Sequence, residues 1–382
     1  MAVASDLLEG SLSYGYDSNP YKISVPDSTQ GASEYTALTL KYQGDRYLAR
    51  KDLKSGALKN NSLQGKRPQS TPKANLLYRL KLDKHIYTNS SSAADSFRLD
   101  GQIRWIERFK LAERKASLLF SADIRRERNT YFSQTQRQVA ETSDGDLIGN
   151  RFSFDAEGLT AELVYYADQQ QSWSLLTAIT QRSYSEDYSD VGLESLDFNE
   201  FKLQPSFRYK AASGTNLRLF VYHKSRHYQG LYNDLETKLS LVEYSLNGYG
   251  AVLSKPFSDQ INTSVYLSGY FARDNGLGAR DLNYQRLSIS FNYQLAAGAE
   301  FEINSQAYRR GYLDQGDIAV ELETGLSGGQ RNGLIVEAVY SRPMAWQFLR
   351  GMASLRREQE NNSTDSLDYH RYLIEIGLQF QL

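Results

Sequence analysis

The chain has 382 residues with no cysteine, 7 prolines, 28 tyrosines and a formal net charge of −1. The missing cysteines exclude disulfides, thiol catalysis and cysteine–zinc sites, and the near-neutral charge gives no reason to expect a nucleic-acid partner. Charged residues make up 23% and no apolar run approaches the ~20 residues that a spanning helix requires, so a helical membrane protein is excluded.

The start, MAVASDLLEG, lacks a basic stretch followed by an apolar one and is not read as a signal peptide. It is taken as the start of a mature chain, or of a barrel cut from something longer. In LLEGSLSYGYDSNPY (Leu7–Tyr21), Gly15 leaves room in a wall, and Asp17, Ser18, Asn19 and Pro20 are turn formers that end a strand. This stretch resembles the opening of a loose group of outer-membrane barrels that carry a GYDSN-like segment before their first external loop. The group includes barrel porins found with exopolysaccharide systems. It also includes the barrel halves of surface-assembly proteins that carry a periplasmic helical-repeat domain. The resemblance implies an outer-membrane barrel engaged in export or surface assembly, with periplasmic export partners.

Segment after segment then alternates with a period of two, which puts one set of side chains on each face of a strand. Ala74, Leu76, Tyr78, Leu80 and Leu82 oppose Asn75, Arg79, Lys81, Asp83 and His85, with Leu77 the exception. Phe97 to Trp105 alternates with Arg98, Asp100, Gln102 and Arg104; Phe201 to Tyr209 with Lys202, Gln204, Ser206, Arg208 and Lys210. Ile261–Phe271 and Leu287–Leu295 follow the same rule. In the last stretch, Tyr372, Ile374, Ile376, Leu378, Phe380 and Leu382 are apolar against a mostly polar set. A transmembrane strand needs about 9–11 residues of this kind with aromatic rings at the interfaces, and Tyr14, Tyr42, Tyr78, Tyr165, Tyr209, Tyr293 and Tyr372 supply such girdles. The closing strand resembles those of Gram-negative outer-membrane barrels, which commonly end in Phe as an assembly signal. Here Leu382 is last and Phe380 stands two places earlier. The resemblance implies the barrel-assembly machinery as a partner through this strand.

Connections fall into short ones (Lys210–Thr215, Ser254–Asp259, Ala296–Glu300, Ser341–Ala345) and long ones, in alternation, as periplasmic turns and extracellular loops do. Gly44–Lys73 is either a very long loop or a hidden hairpin, and Ile318–Tyr340 is either one long strand or two. The expectation is an all-β, antiparallel transmembrane barrel of about sixteen strands, within fourteen to eighteen. Residues 1–382 form one domain in the outer membrane of a Gram-negative bacterium, in contact with its lipid and lipopolysaccharide.

Inward positions give Arg79, Lys81, Arg98, Arg104, Arg125, Lys202, Arg208, Lys210, Arg218, Lys224, Arg286 and Arg371, which set selectivity in a basic-leaning lumen that favours anions. Inward acids are fewer: Asp83, Asp100, Asp123, Glu302, Glu321, Glu323, Glu337 and Glu375. These can instead pair with the arginines and hold the barrel round. Tyr222, Tyr249, Tyr266 and Tyr270 are placed inward as rings able to stack on a sugar, with core filling as the competing role. Acids in two loops (Glu186, Asp187, Asp190, Glu194, Asp197; Glu358, Glu360, Asp365, Asp368) lack EF-hand spacing and read as solvated surface, so no metal or cofactor is expected. His85, His223, His227 and His370 lie on separate segments. Asp83 and His85 could pair on one strand face. No catalytic residue is assigned, and the chain is read as a non-enzyme. The leading function is a passive channel for a hydrophilic, anionic or saccharide, substrate. A surface assembly or adhesion protein that uses the barrel as an anchor comes second. A hydrolase, third, would need His85 or His223 beside a Ser or Asp.

Overall fold

The computed structural model describes residues 4–19, 32–48, 74–88, 95–129, 132–133, 138–139, 152–184, 195–232, 240–275, 281–312, 330–346, 348–362 and 368–382. The strands are β1 (Ala4–Asp17), β2 (Ser33–Leu48), β3 (Ala74–Tyr87), β4 (Ser96–Leu111), β5 (Arg114–Asn129), β6 (Phe132–Ser133), β7 (Gln138–Val139), β8 (Phe154–Tyr166) and β9 (Gln171–Tyr184). They continue with β10 (Ser195–Lys210), β11 (Asn216–Tyr232), β12 (Leu241–Pro256), β13 (Ile261–Asp274), β14 (Leu282–Gln294), β15 (Glu300–Tyr312), β16 (Gln330–Pro343), β17 (Leu349–Asn362) and β18 (Tyr369–Gln381). All but β6 and β7, which form a two-stranded ribbon, join one closed antiparallel barrel of sixteen strands. The expected number and closure are therefore observed.

Closure runs through β1 and β18, in register from Glu9↔Gln381 to Asp17↔Leu373. Leu8 and Leu382 also exchange backbone hydrogen bonds of 3.0 and 2.8 Å, so the chain's last residue is zipped in. A closed sheet has no free edge, which lipid demands because it offers no partner for an orphaned N–H or C=O. The alternation decides the two surfaces. Leu12, Tyr14 and Tyr16 on β1 are exposed while Ser13 and Asp17 are buried; Ile374, Ile376 and Leu378 on β18 are exposed likewise. The same parity carries Leu159, Ile179, Phe201, Val221, Leu253 and Ile289 to the outside and forms an apolar belt. All seven girdle tyrosines share that outward parity. A closed antiparallel barrel with such a belt and a polar interior is a transmembrane barrel of the outer-membrane type, and the outer membrane of a Gram-negative bacterium is where it resides.

The short turns anticipated between β10 and β11, β12 and β13, β14 and β15, and β16 and β17 are all present. Two more are Ala112–Glu113, with positive φ at both residues (46° and 63°), and the link from β8 to β9. Paired positive φ is the hairpin turn whose twist matches its strands. It is built here without Gly or Asn, which is why the sequence did not announce it. One link breaks the short–long alternation. β2 ends at Leu48 and β3 begins at Ala74 on the short-turn rim, so residues 49–73, outside the described residues, connect there. β16 begins at Gln330, and residues 313–329 with Glu321 and Glu323 are outside the described residues.

Candidate functional site

A barrel interior is built by alternate side chains from every strand, so the lumen is one composite surface. Register places all twelve of the basic residues named above on the inward parity. They fall into two groups.

One group is neutralised. Arg98 and Arg125 each donate through Nε to Asp100 at 2.7 Å. Lys81 meets Asp83 at 2.7 Å, and Thr39 donates to the other oxygen of that carboxylate at 2.8 Å. Lys224 and Arg226 share Glu200 at 2.7 and 2.8 Å. Arg371 is the most enclosed. Its Nε and Nη2 reach Asp17 at 2.9 and 2.5 Å, Tyr87 donates to Asp17 at 2.8 Å, and Arg371 donates to the Tyr87 hydroxyl at 3.1 Å. Asp17 is fully buried. The Tyr35 ring lies in the notch left by Gly15, where a Cβ would stand 2.7 Å from it, and packs on Tyr87 at 5.2 Å between centroids. Ser18 accepts the Tyr372 backbone N–H at 2.7 Å, and Asn19 donates to the His370 carbonyl at 3.2 Å. The GYDSN stretch is thus a clasp across the β1–β18 seam, and its arginine is committed to closure.

The second group has no ion pair with any described carboxylate. Arg79, Arg104, Lys202, Arg208, Lys210, Arg218 and Arg286 belong to it, and all but the first two lie on the arc from β10 to β14. Lys202 stands 5.3 Å from the centre of the Tyr222 ring, Arg218 5.5 Å from Phe220 and Arg286 5.5 Å from Tyr266. Ring faces attract cations without cancelling their charge, so this arc keeps a positive field. Recess and wall meet beside it: a cavity of about 540 Å³ is lined by Arg79, Lys81, Arg98, Arg125, Arg182 and Glu200, among others.

Aromatic rings share the same arc. Tyr222, Tyr266 and Tyr270 do point inward; Tyr270 stacks on Tyr284 at 5.1 Å, and Tyr284 on Tyr308 at 6.2 Å. Tyr222 lies over Gly248 and Tyr308 over Gly333, where no side chain competes for the space. Tyr249 is a correction. Its register partner is the exposed Val221, and its ring covers Gly269 on the membrane face. A one-residue parity error moves a side chain through the wall. Tyr284 and Tyr308 were missed, although Tyr284 continues the alternation that places Arg286 inward and Tyr308 stands opposite Arg286 on β15. Near the turn-side rim, a recess of about 730 Å³ is lined by Asn216, Asn262, Asn292, Gln294, Ser254 and Glu302, among others.

Two further corrections concern acids. Glu358 and Glu360, read as loop residues, lie in β17, face inward and are buried. Arg356 is the near ion-pair partner of Glu358, and Tyr308 donates to Glu360. Asp197 is in β10 and accepts the Tyr184 backbone N–H at 2.7 Å; Glu186, Asp187, Asp190, Glu194 and Asp365 are outside the described residues. His85 stacks on Tyr35 at 5.7 Å and is not bonded to Asp83, whose carboxylate is held by Lys81 and Thr39. His223, His227 and His370 face outward, and His223 bonds Asn247 at 2.9 Å. Among the described residues no cluster of His, Asp and Glu is gathered as a metal would need.

No family model matches the chain, and no curated protein sequence does. Solved barrels resemble it at low identity. CdiB from Acinetobacter baumannii aligns at 9% identity and TM-score 0.47 over 98% of this chain and 60% of its own, so the chain spans three-fifths of that protein. An anion-selective porin from Comamonas acidovorans aligns at 9% identity and TM-score 0.45 over 100% of both chains. A bacterial polysaccharide outer membrane secretin aligns at 8% identity and TM-score 0.42, over 99% of this chain and 98% of its own.

Proposed function

We propose that the barrel is a passive outer-membrane channel that favours anionic, hydrophilic solutes. The observation that carries this reading is the β10–β14 arc, where Lys202, Arg208, Lys210, Arg218 and Arg286 face the lumen without a described carboxylate to pair with. Fixed charges beside a low-dielectric wall raise the local concentration of counter-ions, and rings of like charge select in pores. No bond chemistry is involved in transport. The solute exchanges hydration for contacts with guanidinium and ammonium groups, and it leaves because no single site holds it.

The finer reading is an anionic saccharide. Tyr222, Tyr266, Tyr270 and Tyr284 offer ring faces on the same arc as the cations, and Tyr308 on β15 extends them. The Asn- and Ser-lined recess below offers amides and hydroxyls, which suit sugar hydroxyls. The test is single-channel conductance of the purified barrel in a planar bilayer under a KCl gradient. A steady conductance with a reversal potential on the anion side supports the channel. A folded but silent barrel favours the second reading, an anchor for surface assembly. Block by an oligouronate, but not by the matching neutral oligosaccharide, supports the saccharide class.

A further inference from the structure

The outward face of β10–β12 departs from the belt at its long-loop end. Below, Leu203, Val221 and Tyr249 are exposed and apolar. Toward the long-loop end the same parity brings Asn199, His223, Ser225, His227, Glu243, Ser245 and Asn247 together, with Leu203 opposite His223, the exposed Phe201 opposite Ser225, and Ser225 four residues beyond Val221, about 13 Å along the strand. Two of the contacts are specific. The Ser225 hydroxyl lies 2.8 Å from His227 Nε2, and His227 Nδ1 lies 3.2 Å from a Glu243 carboxylate oxygen. Ser225 and His227 share a face because they are two apart on β11, and Glu243 stands directly across from His227 on β12.

We propose that Ser225, His227 and Glu243 form a nucleophile–base–acid relay that hydrolyses a fatty-acyl ester of a membrane lipid. The geometry has the parts in order: a nucleophile bonded to a base, and the base bonded to an acid that fixes its tautomer. With Nδ1–H donated to Glu243, Nε2 is free to accept the serine proton. Ser225 Oγ attacks the ester carbonyl carbon while its proton passes to His227 Nε2. Collapse of the tetrahedral intermediate breaks the carbonyl–alkoxy bond, and the departing alcohol takes the proton from His227. Water then attacks the acyl-serine, with His227 accepting its proton, and the fatty acid leaves as Ser225 regains its own. No oxidant or co-reactant beyond water is needed. Register puts Ser245 opposite Ser225 and Asn199 opposite His227, so the neighbouring strands bring a hydroxyl and an amide to the same outward face, and the proposal assigns them to the oxyanion. Level with Phe201 on the lipid side, at the long-loop edge of the belt, the relay faces outer-leaflet lipid rather than the lumen solute. His227 and Glu243 are each about half exposed (53% and 55%), so the relay is open at the surface and not sealed inside the wall.

The test treats the folded barrel in detergent micelles with a long-chain alkyl fluorophosphonate and maps the adduct by mass spectrometry. In parallel, fatty-acid release is followed from phosphatidylethanolamine and from lipopolysaccharide, which separates the two lipid sources. Labelling at Ser225, with hydrolysis lost about a thousandfold or more in Ser225→Ala and His227→Asn, is the expected result. Glu243→Gln, a positioning change, is expected to slow hydrolysis at least about tenfold and to alter its pH profile, with Glu243→Asp restoring part of the rate. Each variant must keep the heat-modifiable gel mobility of a folded barrel. A folded wild-type barrel that takes no label at Ser225, or hydrolysis that persists in Ser225→Ala, overturns the proposal.

Discussion

The wall at the seam and the wall across β10–β14 are made from the same residue types and, outside the Glu200–Lys224–Arg226 cluster of β10 and β11, treat charge in opposite ways. At the seam, Arg371 is bound by Asp17 and Tyr87, with Glu358 3.6 Å from it, and is only 12% exposed. Across β10–β14, Lys202, Arg218 and Arg286 face rings instead of carboxylates. An arginine in a lumen is therefore not evidence of selectivity by itself. What counts is whether the neighbouring strand brings an acid into register with it.

The comparison can be broken at the clasp first. Asp17→Ala leaves a buried guanidinium without its main partner and should cost about 3–5 kcal/mol, seen as a lower urea midpoint and a lower temperature for loss of the compact gel band. Gly15→Val is next: the added Cβ meets the Tyr35 ring, and overpacking of this kind costs about 1–3 kcal/mol. The same assays report it, and Gly15→Val with Tyr35→Ala should recover part of the loss. Replacing Lys202, Arg218 and Arg286 together by Gln should leave stability within about 0.5 kcal/mol per site, yet shift the reversal potential toward cations. If the shift appears instead in Arg98→Gln with Arg125→Gln, the neutralised group sets selectivity and the contrast fails. The smallest effect is expected from rings. Tyr270→Ala should weaken block by an oligouronate several-fold, each stacked ring contributing about 1 kcal/mol, whereas Tyr249→Ala should leave block unchanged because its ring lies on the membrane face.

Much of this was legible in the sequence because a strand's period of two is a local property. Alternation in Lys73–Ile86, Phe201–Lys210 and Arg371–Leu382 was enough to give the barrel, its belt and the inward set. Tyr249 was misplaced because its own stretch, Leu246–Val252, carries Gly248 and Gly250, and a glycine announces neither face. Glu358 and Glu360 were read as loop because β17 runs polar to its end, beyond the bilayer's reach. His227 was set aside because its partner Glu243 lies on the next strand, joined to it only by register.

The sequence by itself determined that the chain is a membrane-spanning barrel with a charged interior, since side-chain parity needs no knowledge of neighbours. Only the tertiary structure decided which cations are cancelled, that the GYDSN stretch is a seam clasp, and that Ser225, His227 and Glu243 meet. Pairing depends on which residue of the adjacent strand stands opposite, and that is set by turns and closure across the whole ring, with Asp17 and Arg371 meeting from opposite ends of the chain.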